Sequence, residues 1–316
     1  MAPSRPRFGS LQFYPRKRAE NFIHSVNWST MSNLKLEGEG LLGYIAYKVG
    51  MVSVLVKDDT ANSMTKGKKI IVPATVLEMP HMKIASVRFY KNNLPVKDII
   101  VSNDSSLKRI MRVPKNLPTF DSAVPKEFDD IRVLAFTMPK EIALKKTPDV
   151  AEIALHAKDK LSFVKTLFNR ELSTKDFISA GLVDTRGLTK GKGLEGAVPR
   201  FGITLKSHKS EKGVRRAGSL GPWHPARVTF RTPQAGQLGM FSRITYNLKL
   251  ILSSSISTKN INLSGGFPQY GNIKSEYILL EGSVQGPQKR QVMITPSFRP
   301  TKIQARKKYE FLEVLK

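Results

Sequence analysis

The chain has 316 residues, 40% hydrophobic and 24% charged, which is apolar material enough for one large domain or two modest ones. Its 52 Lys and Arg against 25 Asp and Glu leave a net charge of +27, an excess that repels itself unless a polyanion neutralises it; nucleic acid is the leading candidate. No run reaches the roughly 18 apolar residues of a membrane-spanning helix, the first residues lack the continuous apolar stretch of a secretory signal, and the absence of cysteine removes disulfides, thiolate nucleophiles and Cys-based zinc sites together.

Residues 1–42 read as a basic N-terminal extension. Arg5, Arg7, Arg16, Lys17 and Arg18 sit among Pro3, Pro6 and Pro15 without helical or strand period. A solvated terminus is the ordinary reading of such a stretch; in a chain this basic, an arm that orders on RNA is expected. Strand patterns start at Gly43. Tyr44–Val56, Lys69–Glu78 and Ile84–Tyr90 are rich in Val, Ile, Leu and Tyr, and Asp58-Asp59 and Asn92-Asn93 punctuate them as turns, a spacing that suggests a barrel or sandwich. Ile131–Thr137 and Val150–Leu155 follow as strands. Lys158–Leu172 is predicted as an amphipathic helix, with Leu161, Val164, Leu167 and Phe168 forming a core-facing stripe.

The composition changes at Arg186. From there to Arg231 only Glu195 and Glu211 oppose the basic residues, glycine recurs, and apolar residues are too sparse for a core. Residues 186–239 therefore read as one long basic loop, and loops of that length are functional or disordered. Its cations, Lys190, Lys192, Arg200, Lys206, Lys209, Lys212, Arg215, Arg216, Arg227 and Arg231, would hold its path along a phosphate backbone. Residues 240–298 return to strand patterns at Ile244–Leu252, Ser275–Leu280 and Gln291–Thr295. Residues 299–316 form a basic C-terminal tail.

Gly187–Gly196 places four glycines beside Lys190 and Lys192. Such a segment lets backbone N–H groups approach a phosphate, but Gly193 follows Lys192 where a nucleotide-binding loop needs Ser or Thr. Contact with an RNA backbone fits better. In Gly218–Val228, Trp223 lies between Pro222 and His224 with no apolar period around it. A core position is the usual fate of tryptophan, yet this context favours stacking on an RNA base. Ala235–Gly239, Gly265–Gly271 and Glu281–Arg290 read as glycine turns. The histidines His24, His81, His156, His208 and His224 show no helix-borne zinc spacing, no nucleophile elbow occurs, and Asp58-Asp59 and Asp129-Asp130 are most simply solvated turns.

In this order the segments resemble the universal large-subunit ribosomal protein number three family in its archaeal and eukaryotic form. The resemblance is carried by Gly43-Tyr44 through Lys48–Met51, Thr189–Gly193, Trp223-His224-Pro225, Ala235–Gly239 and Gly282–Arg290. Leu194 departs from the family's usual aromatic, Pro199 from its basic residue, and Tyr246–Lys249 from its usual strand. The resemblance implies a mainly β fold: a discontinuous β-barrel like that of translation proteins, with an inserted α/β segment in residues 43–185 and long basic RNA-penetrating extensions. It adds His224, Gln237, Lys289 and Arg290 to the RNA-binding set. It also implies a non-enzymatic, cytoplasmic constituent of the large ribosomal subunit that supports assembly and reaches toward the peptidyl transferase centre. Ribosomal RNA and neighbouring large-subunit proteins would be its partners, with no membrane, cofactor, metal or small-molecule substrate. From the residues alone, a free-standing RNA-binding regulator or assembly protein and an RNA-acting enzyme are the other classes. Basic arms without a compact pocket favour the structural one.

Overall fold

The computed structural model describes residues 11–31, 34, 36–178, 181–209 and 213–315. It is mainly β. Along the chain the strands are β1 (Gly40–Leu41), β2 (Tyr44–Asp58), β3 (Lys69–Met79), β4 (Met82–Lys91), β5 (Leu94–Ile100), β6 (Asp130–Thr137), β7 (Val150–His156), β8 (Leu182–Leu188), β9 (Gly193–Glu195), β10 (Gly236–Leu238), β11 (Ser242–Ser255), β12 (Glu276–Glu281), β13 (Gln291–Pro296) and β14 (Tyr309–Leu315). The chain divides into two compact units. One holds Leu188–Arg243 with the N-terminal residues through Phe22, and the other holds Ile23–Gly187 and Ile244–Lys316.

In the larger unit, one sheet runs β13-β8-β11-β12-β3-β2-β14, and β13 also pairs with β2. The length of β2 allows this. Tyr44–Tyr47 pair with β13 and Ser53–Asp58 with β14, while β3 runs along the other side through a register shift between Lys48 and Gly50. Alternation in β12 serves two cores, because successive strand residues point to opposite faces. Ile278 and Leu280 pack with Leu77 and Met79, whereas Tyr277 and Leu279 pack with Val72, Ala74 and Val76. A second sheet runs β1-β7-β6-β4-β5. Against it packs the helix Lys160–Thr166, whose N-cap Asp159 accepts the Leu161 and Ser162 N–H groups. Val164 and Leu167 of the expected stripe are buried, and Leu161 and Phe168 pack on the same core. The helix is shorter than its apolar period because Asn169 takes a left-handed φ of 54° and Leu172 pairs with Met82.

Two segments read as extensions contribute to this unit. Val26, Trp28 and Met31 are buried, and a Cβ on Gly43 would stand 2.8 Å from the Trp28 ring. That glycine is the space the indole occupies. Past Phe298, the chain forms the short helix Lys302–Arg306 and then β14. Two buried carboxylates are matched by backbone donors. Glu78 accepts the Lys274 and Ser275 N–H groups at 2.7 and 2.9 Å, and Asp184 accepts those of Asn247 and Phe298 at 2.8 and 3.1 Å.

Candidate nucleic-acid interface

The smaller unit is built on a two-stranded ribbon. β9 and β10 pair antiparallel with Leu194 opposite Gln237, and Lys192 N–H to Leu238 O and Thr189 N–H to Phe241 O, both 3.0 Å, extend the joint. The crossing needs Gly239. Its φ is +78°, and a Cβ there would lie 2.0 Å from the Lys190 carbonyl oxygen. Gln237 braces the same turn by donating Nε2 to Gly239 O at 3.1 Å.

Ala197–Phe201 forms a helical turn. Pro199 is tolerated there because first-turn N–H groups have no intrahelical acceptor. Gly202 ends the turn at φ 66°, its N–H donating to Val198 O at 2.7 Å. Arg200 then reaches across to the other leg. Its guanidinium donates to Gln237 O at 3.0 Å, Gln234 O at 2.9 Å and Arg16 O at 3.3 Å. Arg16 returns the bond to Arg200 O and lies 4.1 Å from the Phe201 ring centroid. Burial, and then the neighbouring Arg16 charge, hold the Arg200 pKa below the ordinary guanidinium value. Residues 13–19 thus join the base of the loop. Ala19 N–H bonds to Met240 O at 2.9 Å, and Arg243, which sequence reasoning passed over, lies over Phe13 at 4.4 Å. The only trace of this clamp in the sequence is the interleaving of arginine with Phe13, Tyr14, Phe201 and Phe241.

Beyond the clamp the chain is open. Residues 221–230 are all exposed, and Trp223 is 88% exposed. Leu220, Pro222, Trp223, Pro225, Arg227 and Val228 line a shallow cup at this end. Lys190, Lys192, Lys209, Arg215, Arg216, His224, Arg227 and Arg231 are exposed, as are Lys17 and Arg18. Lys206 is half-buried, its N–H on Val214 O at 3.1 Å. Arg5, Arg7 and Lys212 lie outside the described residues.

Lys289 and Arg290 belong to the other unit, in the turn before β13. Lys289 N–H donates to Lys48 O at 2.8 Å, and Lys48 Nζ donates to the carbonyls of Val284 and Gly286 inside the same turn. Burial lowers the pKa of Arg290, and Lys289 is exposed. Asp58 is a turn anchor, accepting from Thr60 N–H at 2.9 Å, Ser63 Oγ at 2.7 Å and Thr65 Oγ1 at 2.5 Å. The assembly of exposed ammonium and guanidinium groups beside an exposed indole suits phosphate neutralisation and base stacking.

A family model described as ribosomal protein L3 matches residues 1–98 and 88–313. The large ribosomal subunit protein uL3 of Archaeoglobus fulgidus is 37% identical over 314 residues, covering 94% of this chain and 93% of its own. That of Methanothrix thermoacetophila is 37% identical over 330 residues, covering 99% and 97%, and that of Methanocaldococcus jannaschii 36% over 315 residues, covering 94% and 92%.

Proposed function

The chain belongs to the ribosomal protein L3 family, and on that premise we propose that it is a structural constituent of the large ribosomal subunit that binds large-subunit ribosomal RNA. It acts in the cytoplasm as a scaffold, not an enzyme, with rRNA and neighbouring large-subunit proteins as partners. One observation carries the reading: a largely exposed stretch of cations and one indole, residues 203–209 and 213–231, springs from a base locked by the Arg16–Arg200 clamp and the β9–β10 ribbon. A fixed base with an open, charged continuation suits a loop that threads RNA toward the peptidyl transferase centre. Arg16 and Arg200 then set the loop's exit, while Lys190, Lys192, Lys209, Arg215, Arg216, Arg227 and Arg231 meet phosphates, and Trp223 with His224 meets bases.

The larger unit is read as a six-stranded barrel interrupted by the β1-β7-β6-β4-β5 insert. Its support is the pairing of β13 with both β8 and β2, which returns the strand order to its start. The test is the affinity for an rRNA transcript across a salt series. Replacing Arg215, Arg216, Arg227 and Arg231 by alanine is expected to flatten the log–log salt slope by about 0.7–0.9 for each phosphate that is no longer neutralised. An unchanged slope in that variant overturns the assignment of the loop.

A further inference from the structure

The insert carries a second basic face that the loop's chemistry does not explain. Two of its connections meet beside Lys83: residues 101–118, after β5, and residues 138–149, between β6 and β7. A cleft between them is lined by Lys83, Asp104, Ser106, Lys140 and Lys146. Their juxtaposition is fixed from below. Leu107 and Phe136 are fully buried in one small cluster, and Met111, Val113 and Val150 pack against it. Inward-facing apolar residues alternate here with exposed Lys108, Arg109 and Arg112, so the segment is anchored by one side and displays cations on the other. Asn103 Nδ2 holds the far end through Lys115 O at 3.1 Å.

The acids of these connections are engaged. Asp104 accepts Ser106 N–H at 2.8 Å, a bond that lowers its pKa, as Lys83 and Lys140 do further. Glu141 sits 3.4 Å from His81, and Asp149 pairs with Lys145 at 2.5 Å while accepting the Tyr47 hydroxyl. By contrast Lys108, Arg109, Arg112, Lys115, Lys140 and Lys146 are all exposed, and none has an ion-pair partner among the described residues. With Asp104 and Asp149 bound within the connections, six exposed, unpaired cations against the exposed Glu141 leave a predominantly positive field. Such a field concentrates a polyanion.

We infer that this face of the insert is a second RNA-binding surface, which takes the phosphate backbone of large-subunit rRNA between the 101–118 and 138–149 connections. The inference rests on the proposed ribosomal role, but uses none of the loop's residues. Contacts here are to phosphate rather than to bases, because no exposed aromatic accompanies the cations, and such contacts position without reading sequence.

The test uses the full chain and transcribed large-subunit rRNA, comparing Lys108→Ala/Arg109→Ala/Arg112→Ala/Lys140→Ala with the fourfold arginine variant of the loop. Ultraviolet cross-linking of the unaltered protein is expected to mark peptides from residues 101–118 or 138–149 as well as from the loop. The insert variant is expected to melt no lower than the unaltered protein, since all four side chains are exposed, and to flatten the salt slope by up to about three units. If the insert variant keeps the full slope and its peptides carry no cross-link while the loop variant loses affinity, the second surface is overturned and the ribosomal reading stands. If neither variant changes RNA binding, both fall. If the insert variant binds RNA normally but no longer holds a neighbouring large-subunit protein, the face serves an acidic protein, and the RNA inference is overturned.

Discussion

Truncating Trp28 removes an indole that is 3% exposed and packed over Gly43, so Trp28→Ala is expected to cost about 3–5 kcal/mol. Trp223→Ala removes an indole that is 88% exposed, and the melting curve of the free protein is expected to stay within about 0.5 kcal/mol of the unaltered chain. Measuring both variants together decides whether the loop tryptophan is structural; a large loss for Trp223→Ala would return it to a core. The sequence context, Pro on one side and no apolar period, was enough to distinguish the Trp223 environment. Nothing comparable marked Trp28, because a single helical turn is too short to show a period. Asp58 gives a pH test. Its three donors hold the carboxyl well below its unfolded value of about 3.9. A depressed folded pKa contributes stability that is fully present above the unfolded value and is lost as pH falls toward the folded one. The acid limb of the melting temperature against pH is therefore expected to be shallower in Asp58→Asn below about pH 4. Equal limbs would mean that the turn draws nothing from the ionised form.

At the scale of elements, the loop base and the loop tip should separate under protease. Trypsin acting on the free protein is expected to cut at Arg215, Arg216 and Arg227 well before Arg200, whose guanidinium is spent on carbonyls and whose backbone lies in a helical turn. Gly239→Ala should erase that difference. A Cβ facing the Lys190 oxygen at 2.0 Å forces the two legs of the ribbon apart, so cleavage at Lys190, Lys192 and Arg200 is expected to rise. Protection of Arg200 in Gly239→Ala would contradict the role given to the ribbon. Long apolar strands such as β2, β3, β6 and β12 were legible because their β-branched residues alternate or run together. β5 and β14 were not, since each lies at a sheet edge where exposed charges and Pro95 interrupt the pattern. β8 was hidden differently. Its sequence, Leu182–Leu188, contains Asp184, Arg186 and Gly187, and the donors that satisfy the buried Asp184, the N–H groups of Asn247 and Phe298, come from outside the segment. The clamp at the loop base escaped for the same reason: Arg16 and Arg200 are 184 residues apart, and no local period connects them.

For the whole molecule, the charge of +27 sets two salt responses of opposite sign. In the free chain, like charges on a compact body repel more strongly than on an extended one, so the field opposes folding. Raising ionic strength from about 0.01 M to about 0.15 M shortens the screening length from about 30 Å to about 8 Å and removes most of that opposition. The melting temperature of the free protein is therefore expected to rise over this range. The ion pairs among its exposed side chains work the other way but are individually weak, and with 52 cations to 25 anions they cannot set the sign. Bound to RNA, the same cations displace condensed counterions, and added salt restores the advantage of the free state. The affinity for rRNA should accordingly fall while free-protein stability climbs. RNA should also raise the melting temperature most at low salt, because a ligand that binds only the folded state stabilises it by RT ln(1 + L/Kd) at free ligand concentration L, which grows as binding tightens. Parallel thermal melts with and without rRNA across one salt series measure both. Curves that converge as salt rises fit a protein whose positive charge is matched by a polyanion. A melting temperature that falls with salt in the free protein would mean that its own ion pairs dominate, and the charge excess would then lose its standing as the signature of an RNA partner.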